Sequence, residues 1–105
     1  MRRLLVLAVV TSLSAACTAQ TEGRNGADLY QVSCAGCHGD DLGGGRGLTN
    51  GPDIGPGSNA DLVLSDDQIA GVIQAGPGSM PSFGRVLDED QIASLVAYIR
   101  SVQEG

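Results

Sequence analysis

The stretch VSCAGCHGDD, Val32 to Asp41, carries two of the chain's three cysteines and its only histidine. Three ordinary readings compete for Cys34 and Cys37: a redox-active dithiol, a structural disulfide and half of a zinc site. A thioredoxin-like dithiol belongs to a βαβ context, and no β pattern is present. A structural zinc ion takes four ligands, and beyond this stretch the chain offers only Cys17 and no second histidine. None of these readings accounts for His38 directly after Cys37. Cys-x-x-Cys-His does have a chemistry of its own, the attachment of c-type haem. Cys34 and Cys37 would form thioether bonds to the haem vinyl groups, and His38 would ligate the iron.

An iron held on one side by His38 needs a sixth ligand. The single histidine excludes a second imidazole from the same chain. Met1 falls in a leader-like start, which leaves Met80 as the methionine of the mature protein. A lone methionine is often a core gap-filler. Met80 instead sits in GPGSMPSFG, a turn-rich segment with no helical face to bury it. Thioether ligation opposite histidine raises the haem potential and closes the iron to small ligands. Met80 is therefore the expected distal ligand.

Helical patterns flank these motifs. Asn25 is a candidate N-cap with Asp28 three residues on, opening a helix that presents Leu29, Tyr30 and Val32 and runs into Cys34. Ser65 and Gln68 form a capping-box pair before Ile69, Val72 and Ile73, and Gly76-Pro77 stops that helix. Asp88 and Gln91 repeat the arrangement before Ile92, Leu95, Val96, Ile99 and Val102, a single apolar face at helical spacing. Between them, GDDLGGGRGLTNGPDIGPGSN from Gly39 to Asn59 is dominated by Gly, Pro, Asp and Asn. So long a stretch without secondary structure is uncommon in a compact domain unless it serves a function, and wrapping a haem edge is such a function. DLVL, Asp61 to Leu64, reads as a turn or short helix adding apolar contacts. No strand and no internal repeat is evident, so the expected fold class is all-α.

A mature domain of about 80 residues is thin on core and often needs a staple. Its aromatic residues are Tyr30, Phe83 and Tyr98 alone. A covalently attached macrocycle would supply what the side chains do not.

The N-terminal MRRLLVLAVVTSLSAA, residues 1–16, has the layout of a secretory signal: Arg2 and Arg3, an apolar run from Leu4 to Val10, then small residues up to Cys17. The apolar run is far shorter than the ~20 residues of a spanning helix. LSAAC resembles a bacterial lipobox, with cleavage before a lipid-bearing Cys17. It departs from that pattern in having Ser14 where leucine is preferred, with Leu13 one place further back. The other reading is ordinary cleavage at a small-x-small site, Ser14 and Ala16, leaving Cys17 a free exported thiol. The lipoprotein reading gives every cysteine a use. Residues 17–24 then form a flexible tether, and residues 25–105 the folded domain.

Removing Arg2 and Arg3 takes the formal charge from −6 to −8. Against twelve acidic residues there then stand Arg24, Arg46, Arg85 and Arg100, with no lysine in the chain. Nucleic acid is excluded as a partner, because phosphates demand a basic face. Docking through a lysine ring is excluded too, so a protein partner must be basic or apolar at its contact.

The segments GADLYQVSCAGCHG, GPGSMPSFG and LDEDQIASLVAYIRSV, in that order, resemble the haem-binding, methionine and C-terminal helix segments of small bacterial class I cytochromes c, of the single-domain monohaem kind. The resemblance covers residues 25–103. It implies a cytochrome c-like fold of a few helices around one covalent haem c, with the first and last helices crossing so that Gly26 and Tyr30 meet the face around Leu95 and Tyr98. It also implies a proline whose carbonyl accepts a hydrogen bond from the ligand histidine, and NGPDIG offers Pro52 for that role. Pro52 as a simple turn former stands beside that reading. Arg46 is a candidate partner for a haem propionate, as is Arg85, and each equally suits a solvated loop position.

The expected function is one-electron transfer by a monomer between a donor and an acceptor protein on the periplasmic side of a membrane, either lipid-anchored or soluble. No paired general acid and base accompanies the site, so no catalysis is expected. Two alternatives stand: an electron-accepting haem subunit of a dehydrogenase or oxidase complex, and a haem enzyme or gas sensor with a labile sixth ligand.

Overall fold

The computed structural model describes residues 24–45 and 50–105. The signal segment, Cys17 and Arg46 lie outside the described residues. Five helices follow one another: α1 (Gly26–Ser33), α2 (Ala35–His38), α3 (Asn59–Leu62), α4 (Asp66–Ala75) and α5 (Glu89–Gln103). Among the described residues there is no strand, and no helix is long and apolar enough to cross a membrane.

Each longer helix starts where its cap is written. The Asn25 side chain accepts from the Asp28 amide. Ser65 with Gln68 and Asp88 with Gln91 form complete capping boxes, with bonds running both ways. Such a cap is worth about 1 kcal/mol, which is substantial for helices of eight to fifteen residues. Gly76 ends α4 in the left-handed conformation at φ 62°.

The core is one apolar cluster, built on α1 lying across α5, with α4 alongside. Leu29 and Tyr30 from α1 and Leu95 from α5 are completely buried. Gly26 allows the two helices to touch, since a Cβ there would overlap the Ser94 carbonyl. The Tyr30 and Tyr98 rings meet at 5.4 Å between centroids, tilted by 47°. This is the crossing that the family resemblance implies for Gly26, Tyr30, Leu95 and Tyr98.

Three apolar positions depart from expectation. Val32 is 50% exposed, because α1 turns Leu29 and Tyr30 inward. Leu62 and Val63 are 73% and 71% exposed, so of DLVL only Leu64 packs on the core. Helix α3 begins two residues earlier than Asp61, where Ser58 caps it.

Candidate haem site

Helix α1 ends because Cys34 leaves helical geometry at φ −122°, while its amide still bonds to the Tyr30 carbonyl. The Cys34 carbonyl then accepts from both the Cys37 and His38 amides, at 3.1 and 2.9 Å. One turn thus carries Cys34, Cys37 and His38. Cys34 is buried, Cys37 is half-buried, and both are free thiols. Burial pushes the Cys34 thiol up to about 11, with Cys37 adding to the shift. Reactive dithiols need the opposite, a depressed value that yields thiolate near neutrality. Among the described residues, no three His, Cys, Asp or Glu side chains converge as metal ligands would.

His38 is buried, and its Nδ1 lies 2.9 Å from the Pro52 carbonyl oxygen. A carbonyl only accepts, so Nδ1 carries the proton and the ring's lone pair is on Nε2. That is the tautomer and the held orientation a metal-binding imidazole requires. The loop after α2 is fastened to it by backbone bonds: Gly51 N–H to the Cys37 carbonyl at 2.7 Å and Gly44 N–H to the His38 carbonyl at 2.8 Å. Gly51 lies so close that a Cβ would come within 2.8 Å of the Cys37 oxygen and 2.9 Å of His38 Nδ1. The Tyr30 hydroxyl donates to the Gly39 carbonyl at 2.7 Å, joining the core helix to the start of the same loop. Burial holds that phenol far above the usual tyrosine range, so it remains a donor. Leu42 is completely buried under the loop, at a left-handed φ of 67°.

Met80 is carried by a second loop, between α4 and α5, and packs half-buried against the apolar cluster that includes Cys34. That loop is folded back on α4: Ser82 Oγ donates to the Gln74 carbonyl at 2.6 Å, and the Phe83 amide to the Ile73 carbonyl at 3.0 Å. At Gly76 a Cβ would overlap the backbone of Pro81 and Ser82. Arg85 is exposed.

The residues present fit a c-type haem. Two thiols and an imidazole share one turn, the imidazole is fixed through Nδ1, and a bare glycine leaves room for the backbone that fixes it. The structure brings together Cys34, Cys37, His38 and Pro52, with Met80 on a separate segment. Three contributors carry no sequence signal strong enough to single them out. Gly51 is one glycine among many, Leu42 stands alone in a polar run, and Gln103 (6% exposed) is a polar residue one turn beyond Ile99 on the buried face of α5.

Comparison with known proteins agrees. Residues 21–99 match the family described as cytochrome C oxidase, cbb3-type, subunit III. The cytochrome bc1 complex cytochrome c subunit of Mycobacterium leprae is 33% identical over 88 residues, covering 80% of this chain. The chain spans only 28% of that subunit's length. Cytochrome c6 of Bryopsis maxima is 31% identical over 86 residues, 76% of this chain and 92% of that protein. The crystal structure of cytochrome c6C from Synechococcus sp. PCC 7002 superposes with a TM-score of 0.60 at 28% identity, over 75% of this chain and 95% of its own. The compact helical fold, the turn bearing Cys34, Cys37 and His38, and these likenesses together make the chain a member of the cytochrome c family, a small monohaem c-type cytochrome similar to cytochromes c6 and c-551.

Proposed function

We propose that the protein is a one-electron carrier at the bacterial cell envelope, with haem c bound covalently to Cys34 and Cys37 and its iron held between His38 and Met80. When bound, the haem supplies the ferric/ferrous couple. The chain's part is to position and shield it. The observation that supports this reading is the 2.9 Å contact of His38 Nδ1 with the Pro52 carbonyl, which leaves Nε2 with the lone pair that would ligate iron. Met80, in a loop closed on α4, would complete the coordination and exclude small ligands. Since c-type cytochromes are extracytoplasmic, the leader-like start is consistent with export, and Cys17 would anchor the mature chain through lipid. An anchor with more than one acyl chain would hold firmly, where a single chain is marginal.

The test is Met80→Ala in protein matured by a host able to attach haem. The haem should remain covalent while the weak far-red band of methionine-to-iron ligation disappears from the ferric spectrum. A band that survives would remove Met80 from the iron.

A second reading is favoured by the family description and by the mycobacterial relative, both named as subunits of larger complexes. There the domain would accept electrons within an assembly rather than diffuse. Mild-detergent extraction of native membranes separates the two: co-migration with a large complex supports a subunit, and migration alone supports a carrier.

A further inference from the structure

The proline loop is held from behind by the last turn of the molecule. Gln103, at the C-terminal end of α5, is a polar side chain only 6% exposed. Its Nε2 donates to the Ile54 carbonyl at 2.9 Å. Its Oε1 accepts from Arg100 Nη1 at 2.8 Å. A guanidinium can only donate, so Arg100 turns the amide with its N–H groups toward Ile54. Arg100 is itself fixed. Its Nε bonds to Asp66 at 2.7 Å, Nη1 reaches the Ala60 carbonyl at 3.2 Å, and Nη2 bonds to the Leu64 carbonyl.

Ile54 is gripped on its other side as well, its amide donating to the Leu42 carbonyl at 2.9 Å. Pro52 is two residues away and is the carbonyl on which His38 Nδ1 rests. With Gly51 bonded to the Cys37 carbonyl, residues 51–54 are pinned at both ends, and the Pro52 oxygen has little freedom between the pins.

We propose that Gln103, oriented by Arg100, is a positioning residue for the His38 imidazole. It acts through Ile54 to keep the Pro52 carbonyl on Nδ1–H. The inference rests on His38 being the iron ligand. A carbonyl drawing on Nδ1–H makes the ring a stronger donor and favours the ferric state. Loosening that bond must shift the balance toward ferrous iron.

The experiment uses the full holoprotein and Gln103→Met, which keeps the length of the side chain and loses its donor. Two quantities are read: the ferric/ferrous ratio at a fixed ambient potential, and the solvent-exchange rate of the Nδ1–H proton by NMR. The ratio should fall by about threefold, a rise in potential of about 28 mV for a one-electron couple, and exchange should quicken. Arg100→Lys keeps the charge but gives up the planar fork that orients Gln103, and should move both readings the same way by less. This variant decides the matter if Gln103→Met fails to mature. Ile92→Val, near the start of α5 and remote from residues 51–54, should lower stability and move neither. Unchanged potential and exchange in a Gln103→Met protein that is merely less stable would overturn the proposal. Wild-type protein lacking covalent haem would overturn the ligand reading itself, before any variant is compared.

Discussion

The carbonyl oxygen of Ser94 occupies the place where a Cβ of Gly26 would stand. The first and last helices thus cross backbone to backbone, and the Tyr30–Tyr98 ring contact lies one turn along α1 from that point. The turn bearing the cysteines and His38 is anchored to this crossing, since α1 runs directly into it.

Gly26→Ala is expected to destabilise the holoprotein. Alanine returns at most about 1 kcal/mol of helix propensity, and less at a helix start. Forcing a methyl group onto a main-chain carbonyl costs about 1–3 kcal/mol. Denaturant midpoints of variant and wild type decide the sign, and a variant as stable as the wild type would mean that the crossing is looser than described.

Tyr30→Phe removes the hydrogen bond to Gly39 while keeping the ring. The expected loss is about 1 kcal/mol. The same substitution should change alkaline behaviour. The folded-state phenol is held above its ordinary value of 10.0 by burial first. Its contribution is complete below pH 10 and is lost as pH rises toward the folded-state value, because the unfolded chain ionises first. Stability followed by denaturant titration above pH 10 should therefore fall less steeply in the phenylalanine variant.

Gly51→Ala places a methyl group against the Cys37 carbonyl and His38 Nδ1. The loop must give way, and the Nδ1–H bond to Pro52 lengthens with it. The expected signature is a weaker, faster-exchanging imidazole N–H with the thioether bonds intact, together with a cost of about 1–3 kcal/mol. An unaltered N–H signal would show that the loop yields elsewhere.

Gly76→Ala combines a left-handed backbone with an overlap on Pro81 and Ser82. The left-handed residue alone costs about 1–2 kcal/mol. Because this closure positions the Met80 loop, the far-red band should weaken and should disappear at a lower temperature than in wild type. Equal thermal persistence in both proteins would uncouple Gly76 from Met80.

Much of this is legible in the residues because caps and attachment motifs are local. Asn25, Ser65 with Gln68, and Asp88 with Gln91 announce their helices within four positions, and Cys34-Ala35-Gly36-Cys37-His38 announces its chemistry within five. Pro52 is legible only through family resemblance, since nothing in NGPDIG by itself says that its carbonyl meets His38. Leu42 and Gln103 are hidden for a different reason. Each matters through a contact with a distant segment; Leu42 falls in no periodic pattern, and Gln103 continues the spacing of Val96 and Ile99 but is polar. Val32, Leu62 and Val63 mislead in the opposite direction, as apolar residues that the packing leaves outside.

The most direct test is the reduced absorption spectrum of purified, haem-matured protein, recorded before and after addition of carbon monoxide. A covalent haem with both axial positions filled should give sharp reduced bands that carbon monoxide does not change. A prompt shift on adding the gas would mean an open or easily vacated iron position, and would contradict the reading of this protein as an electron carrier closed by His38 and Met80.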